Sequence, residues 1–425
     1  MYLENSFEKI KEFDSEMADL AVREEERQKN SLNLIASENY VSPLSAGMEG
    51  KIFSIKNAEG YPNKRFVGGI ELADKVELLT IERIKKLFGA EHVNVQSMSA
   101  TISNVAILQA LLKPGDRILS MELDQGGHLS HGARFHISGK DYEVYFYGVD
   151  KETEEIDMDQ VEKMAKEYKP KLIICGTSSY PRQIDYERFG EIAKENDAYL
   201  LADIAHPVGL IAANLIPSPI PHADVVTTST HKTWRGSRGG GVIMCKEEIA
   251  GKIDRALFPG LQGAPKMDMI AARGVQALES MTDEFVNYQK QVMKNAKVFA
   301  EELVNNGLRL VTGGTNTHLI LADVTNLVPS GKVAEEVLES VGIVSNKNMI
   351  PFDKQKPNIT SGLRMGSPAL TTRGLKEEDF KKIAKLVAKA LKNYEDKNVL
   401  NNIKGEVQEM VKDLPLFSEE WYPTR

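Results

Sequence analysis

The sequence predicts an α/β fold: a mostly parallel sheet covered on both faces by helices, followed by a smaller α+β unit. Three observations predict it. Runs such as RILSM, KLIICG and AYLLAD are apolar at nearly every position rather than at alternate ones, as strands buried on both faces are. Segments with helical periodicity, such as MDQVEKMAKEY and YERFGEIAKEN, separate them, and strands alternating with helices mean βαβ units. From about residue 283 the alternation gives way to long helices with fewer strands between them.

Taken in order, residues 4–30 read as one charged amphipathic helix with Phe7, Ile10, Phe13, Met17 and Leu20 on a stripe. That stripe suits either a partner or the protein's own body. Residues 33–68 read as loop with short helix. They are rich in glycine, proline and polar residues with charged and aromatic ones interleaved, and long irregular segments of compact proteins tend to be functional. The regular series then runs through the helix Glu71–Phe88, strand HVNVQ, a helix over 101–112, and strands RILSM and DYEVYFY. It continues with the helix MDQVEKMAKEY, strand KLIICG, the helix YERFGEIAKEN and strand AYLLAD, and closes on ADVVTTS and GGVIMC. A helix over 285–305, strand THLILADV, the helix KVAEEVLESV, the strand-like IVSN and a helix over 377–394 follow. The expected organisation is an N-terminal arm (1–56), a large domain (57–280) and a small C-terminal α+β domain (281–425). No internal repeat or low-complexity tract interrupts it.

Composition narrows the function. The 425 residues are 42% hydrophobic and 27% charged, with a formal charge of −8, ordinary values for a soluble globular chain. No basic field is present for nucleic acid or an anionic membrane. The N-terminus lacks an apolar signal core, and no run approaches the length of a membrane span. Cys175 and Cys245, the only cysteines, lie in apolar runs and read as core residues in a reducing cytosol. A cytoplasmic enzyme acting on small molecules is the expectation.

Ligands of open α/β sheets sit at the carboxyl ends of strands, and three loops there carry chemistry. In QSMSATISN, Ser99 and Thr101 stand at a helix N-terminus, which favours a phosphate; a plain helix cap is the competing reading. In LLADIAHPVGL, Asp203 ends a buried strand with His206 three residues on. It suits a protonated ring nitrogen, or a cap for the next segment. In VVTTSTHKTWRGSRGGG, Lys232 follows a hydroxyl cluster and precedes Arg235, Arg238 and a glycine-rich turn. Burial and neighbouring cations favour a neutral amine that forms a Schiff base; a phosphate loop or solvated basic turn is the alternative. Together the three match what pyridoxal 5'-phosphate needs: a phosphate anchor, a partner for its pyridinium nitrogen and an imine-forming lysine. GGHLSHG adds His128 and His131. Either could stack on a cofactor ring; no metal is expected, since no further ligand stands at a convincing spacing.

With these motifs in hand, the chain resembles the serine hydroxymethyltransferase family of fold-type-I pyridoxal phosphate enzymes over nearly its whole length. LIASEN, AEGYP with KR, GGHL with HG, THKT with RG and RGG, LFPGLQG, NKN with IPFD, and TSGLRMGSPALTTRG all occur in the family's order. The resemblance implies an aminotransferase-like fold with a mostly parallel seven-stranded sheet. It implies that Lys232 carries the cofactor, that Asp203 pairs with its ring nitrogen, that His128 stacks on the ring and that His206 lies near its phenolic oxygen. Ser99, Ala100 and Thr101 would hold the phosphate, with Ser229 beside it and Gly263 reaching in from a neighbouring subunit. Arg364 would clamp the substrate carboxylate bidentately, helped by Ser37 and Arg238. Glu59 would shuttle a proton at the substrate hydroxyl, and His231 would tune the site. Leu123, Gly127, Leu129 and Asn348 match pteridine-binding positions, so tetrahydrofolate is the implied co-substrate and a homodimer with shared sites the implied assembly. Without the motifs, Arg364 and Glu59 read as members of ordinary ion pairs.

The chain departs from the family at several positions. Asn57 and Val67 stand where tyrosines are usual, and Phe66 where another aromatic residue is. Met98 replaces a histidine, Ala100 and Ala264 replace glycines, and Ser237 replaces a proline. The leading expectation is interconversion of serine and glycine. Asn57 and Val67 motivate an alternative: a folate-independent aldolase or transaldolase on threonine-like substrates, or a hydroxymethyltransferase for an α-substituted serine.

Overall fold

A computed structural model describes residues 6–424. Seven strands form the main sheet: β1 (His92–Asn94), β2 (Arg117–Met121), β3 (Glu143–Tyr147), β4 (Leu172–Gly176), β5 (Tyr199–Asp203), β6 (Val225–Ser229) and β7 (Gly241–Cys245). Their order is β1-β7-β6-β5-β4-β2-β3. Only β7 runs against the rest. The apolar runs have the predicted cause: Leu172 and Ile174 of β4 enter one core with Ile107 and Ile253, while Ile173 and Cys175 enter the opposite core with Ile84 and Phe189. The reversal of β7 has a consequence for chemistry. It brings the glycines before Gly241 to the edge where the other strands end.

A second, antiparallel sheet contains β8 (Arg309–Leu310), β9 (Leu319–Asp323), β10 (Asn346–Asn348) and β11 (Gly362–Gly366), in the order β8-β9-β11-β10. The long helix Asp283–Asn305 and the helix Glu377–Lys392 pack with it around Phe299, Leu303, Ile320, Leu363 and Phe380. Leu32 and Leu34 join that same core. Leu32 and Asn33 pair in parallel with Ile343 and Val344, and Gly366 N–H donates to the Leu34 carbonyl (2.7 Å). The segment that carries Ser37 is thereby tied to the second sheet.

Two expectations need correction. Residues 4–30 do not form one helix; residues 4 and 5 lie outside the described residues, and the rest split into Ser6–Phe13 and Ser15–Lys29. Asp14 causes the break: its carboxylate accepts from Met17 N–H (3.0 Å), the N-cap geometry that aspartate favours over continued helix. The apolar stripe is exposed, Phe13 to 94%. The helices Glu247–Leu257, Met267–Glu279 and Lys397–Val411 were not expected. In the second of these Asp268, Arg273, Gln276 and Glu279 are all buried, so polar residues on the inner face mask the apolar period. Among the described residues no helix is long and apolar enough to cross a membrane.

Candidate active site

The carboxyl ends of β1, β4, β5 and β6 meet the turn before β7 around a cavity of about 350 Å³. Ser37, Ser99, Ala100, Thr101, His128, Asp203, His206, Ser229, His231, Lys232, Arg238 and Arg364 all line it. Residues separated by more than three hundred positions thus converge where the motifs predicted.

The anchor side is built first. Ser99 caps the helix Ala100–Leu111, its Oγ accepting from Ile102 N–H (3.2 Å). The capping reading therefore holds for the Ser99 hydroxyl, and the first-turn N–H groups beside it remain donors for an anion. Glycine is required opposite. A Cβ on Gly241 would come 2.6 Å from the Ser99 carbonyl oxygen, and Gly239 has φ +79, a left-handed conformation that side chains disfavour.

Asp203 is buried, and burial alone would raise its pKa. The hydrogen bond from His131 Nε2 (3.0 Å) and the charge there prevail, helped by His128 and by Asn104 Nδ2 (2.8 Å), and hold it well below the usual carboxylate range. Its other oxygen accepts from Ala205 N–H (3.0 Å). Asn104 is fixed in turn by Thr227 Oγ1 (2.6 Å) and by its bond to Ser130 Oγ (2.9 Å), which sits 2.7 Å from His128 Nδ1. His128, His131 and Asp203 lie close enough to suggest a metal trio. His131 Nε2 and Asp203 are instead engaged with one another, Asp203 also with Asn104, and His128 Nδ1 with Ser130.

Lys232 is half-buried, and its pKa falls to about 8. Burial is the largest cause. Asp203 opposes it, while Arg364 and Arg238 add to it. Its backbone carbonyl is held by Asn39 Nδ2 (2.9 Å) and Arg235 N–H (3.1 Å). The neighbouring His231 is pushed down to about 3 by burial and by Arg238 and Lys232, and its buried Nδ1 has no partner. His128 falls to about 4, burial again leading. His128 and His231 are therefore neutral at physiological pH.

Arg364, on β11, donates to Asn346 Oδ1 (3.1 Å), the Ser178 carbonyl (2.7 Å), Ser178 Oγ (3.2 Å) and Ser37 Oγ (3.3 Å). All four acceptors are neutral. The ordinary ion pair is thereby excluded for Arg364, whose pKa burial lowers to about 10. A buried guanidinium without a carboxylate is suited to receiving one.

Other predicted residues lie elsewhere in the chain. Glu59 and Gly263 share a separate open groove with Phe66 and Phe258; Glu59 Oε1 is 3.5 Å from the place a Gly263 Cβ would take. Arg65 holds the carbonyls of Ala58 and Gly60, on either side of Glu59 (2.7 and 2.5 Å). Leu123 and Leu129 are exposed at 38% and 39%. Gly127 is pressed against the Met121 carbonyl, and the Asn348 side chain bonds the Met349 carbonyl (2.7 Å). None of these lines the Lys232 cavity. Among the departures, Asn57 Oδ1 accepts from Glu59 N–H (3.4 Å) and Ser237 Oγ bonds Glu49. Sequence reasoning missed Asn104, Thr227, Ser178, Asn346 and His318. Asn104, Thr227 and His318 are polar residues in or beside apolar segments, where a polar residue gives some signal, while Ser178 and Asn346 lie in polar stretches that give none.

Would pyridoxal phosphate fit? The donor set suits it. An easily neutralised amine, a carboxylate held ionised, a glycine-lined helix N-terminus and an unpaired guanidinium converge on one cavity. With the mostly parallel seven-stranded sheet, they define a fold-type-I pyridoxal-phosphate-dependent enzyme. The family model for serine hydroxymethyltransferase matches residues 10–387, and the chain belongs to that family of pyridoxal-phosphate-dependent hydroxymethyltransferases.

Proposed function

We propose that the protein transfers a hydroxymethyl group between serine and glycine, with tetrahydrofolate as the one-carbon carrier. The observation that carries this reading is the pairing of Lys232 with the uncompensated Arg364 over a strand-end Asp203. It places an amine, a carboxylate receptor and an anion for a protonated ring in one cavity.

When bound, pyridoxal phosphate supplies an electron sink for the carbanion left by Cα–Cβ cleavage. Lys232 would anchor it, and the helix N-terminus at Ala100 and Thr101 would hold its phosphate. Asp203, kept charged by His131 and Asn104, would hold a proton on the ring nitrogen. His128 would lie against the ring and His206 beside its phenolic oxygen. Arg364, with Ser37 and Arg238, would orient the substrate carboxylate so that the bond to be broken is fixed relative to the ring. Glu59 would take the proton of the substrate hydroxyl.

That last role requires a second copy, because Glu59 and Gly263 stand apart from their own chain's Lys232. Their groove is lined by the exposed Phe66, and Ile52, Ile55 and Leu72, near it in sequence, are exposed too; exposed apolar side chains suit a subunit contact. We therefore read the working unit as a homodimer with shared sites, in a compartment that leaves the buried Cys175 and Cys245 unpaired.

A second reading has one observation behind it. Phe66, which lines the Glu59 groove, and its neighbour Val67 carry no hydroxyl, and Asn57 is tied to its own loop at Glu59. A bulkier or apolar substituent on the substrate, as in an α-substituted serine or threonine, is then tolerated. Serine cleavage measured with and without tetrahydrofolate, beside threonine cleavage without it, separates the two. Strong folate dependence with weak threonine turnover is expected; folate-independent turnover of threonine or an α-substituted serine would overturn the first reading.

A further inference from the structure

His206 and His318 form a buried pair in which the ring nitrogens His206 Nδ1 and His318 Nε2 are 3.3 Å apart. The ring centroids are 5.5 Å apart at an interplanar angle of 19°. That separation is what two rings give when they point nitrogens at one another, so the contact is a hydrogen bond and not a face-to-face stack. Both rings are neutral. Burial is the leading cause in each, and the charges of Lys232 and Arg364 add to it, with His318 lowered to about 3. Two neutral imidazoles carry one N–H each, so one ring must donate and the other accept.

The surroundings decide which. His318 Nδ1 is buried without a hydrogen-bond partner among the described residues. It belongs to a residue lining a small cavity of about 20 Å³, room for roughly one water. The Ala36 backbone acts on the His318 ring in the direction that favours its protonated form, and that contact is not a hydrogen bond at Nδ1. An orphaned buried N–H is rarer in proteins than an orphaned acceptor, so the proton of His318 belongs on Nε2. We infer that His318 is a positioning residue: its Nε2–H donates to His206 Nδ1 and thereby fixes the His206 proton on Nε2, the donor that His206 offers to the Lys232 cavity.

On the reading of the site given above, that donor would face the anionic oxygen of the cofactor ring, and His206 would act as a fixed dipole that keeps its proton. His318 immediately precedes β9, whose Leu321 stands opposite Arg364. The sheet that carries the carboxylate receptor therefore also sets the tautomer of a residue from the main sheet.

The first test is on the apoenzyme and does not depend on the cofactor. With ¹⁵N-labelled histidine, His206 signals, assigned by their loss in His206→Gln, should show a protonated Nε2 and a bare Nδ1. A protonated Nδ1 would overturn the inference. The second test compares His318→Gln, which retains a donor, with His318→Leu, which fills similar space without one. In His318→Leu the visible band of the cofactor-loaded lysine should titrate at a shifted pH, and the cofactor should dissociate about five- to tenfold faster, the size of one hydrogen bond. His318→Gln should restore both. A packing role alone predicts the opposite ranking, and identical behaviour of the two variants would also overturn the inference. Should wild type show no visible band with pyridoxal phosphate, the cofactor reading fails, while the tautomer measurement still decides this one.

Discussion

Replacing Arg364 by lysine tests the carboxylate receptor most directly. The guanidinium makes four hydrogen bonds to neutral acceptors and meets no carboxylate. Lysine keeps the charge but has no fork, so one of the two bonds to a substrate carboxylate is lost, and Asn346 or Ser178 loses its donor. A charge-assisted hydrogen bond contributes about 1.5–3 kcal/mol and an abandoned buried acceptor costs about 1 kcal/mol or more. The sum is roughly 2.5–4 kcal/mol, or about 70- to 900-fold in kcat/KM. Steady-state serine cleavage reads it, and a parallel thermal melt checks that the fold survives. Because the carboxylate is bound before and during the reaction, most of the loss should fall on KM. A change under about tenfold, or a loss confined to kcat, would refute the assignment.

Two further outcomes follow from the geometry. The Lys232 pKa is lowered to about 8 from 10.5, so between those values the unfolded chain binds the proton that the folded apoenzyme releases; stability contributed by this group is therefore lowest below about pH 8 and rises towards pH 10.5. Allowing for the partial exposure of Lys232, the rise is on the order of 2 kcal/mol, and Lys232→Met should abolish it in apoenzyme denaturation curves at pH 7.5 and 10; an unchanged pH dependence counts against a depressed lysine. Mixing inactive Lys232→Ala and Glu59→Gln subunits should restore about one quarter of wild-type activity if sites are shared across a two-fold axis, whereas no recovery after verified subunit exchange would show that each chain supplies its own Glu59.

Much of this architecture was legible in sequence because burial on both faces leaves a one-dimensional trace. The strands KLIICG and AYLLAD are apolar throughout, so their place inside the sheet could be read directly. The same holds for Asp203, at the end of such a strand, and for Lys232, three residues beyond one, whereas Arg364 was legible only through the motif around it. What escaped was chemistry set by a distant partner. Asn104 is an amide in a helix until its distance to Asp203 is known. His318 is one histidine in THLILAD until His206 faces it. The helix Met267–Glu279 was hidden because its inner face is polar, and the break at Asp14 because a single cap outweighed a periodic stripe.

The tie between Leu32–Asn33 and Ile343–Val344, and the contact of Ser37 with Arg364, also order events during synthesis. Main-sheet strands and the Lys232 turn are complete once residue 245 has emerged. The clamp for the substrate carboxylate waits for residue 364, while its Ser37 half has been exposed from the start. At about 5–20 residues per second that interval lasts on the order of 6–24 s. For that time the nascent protein carries Lys232 without Arg364, and so without the group that would grip an amino acid.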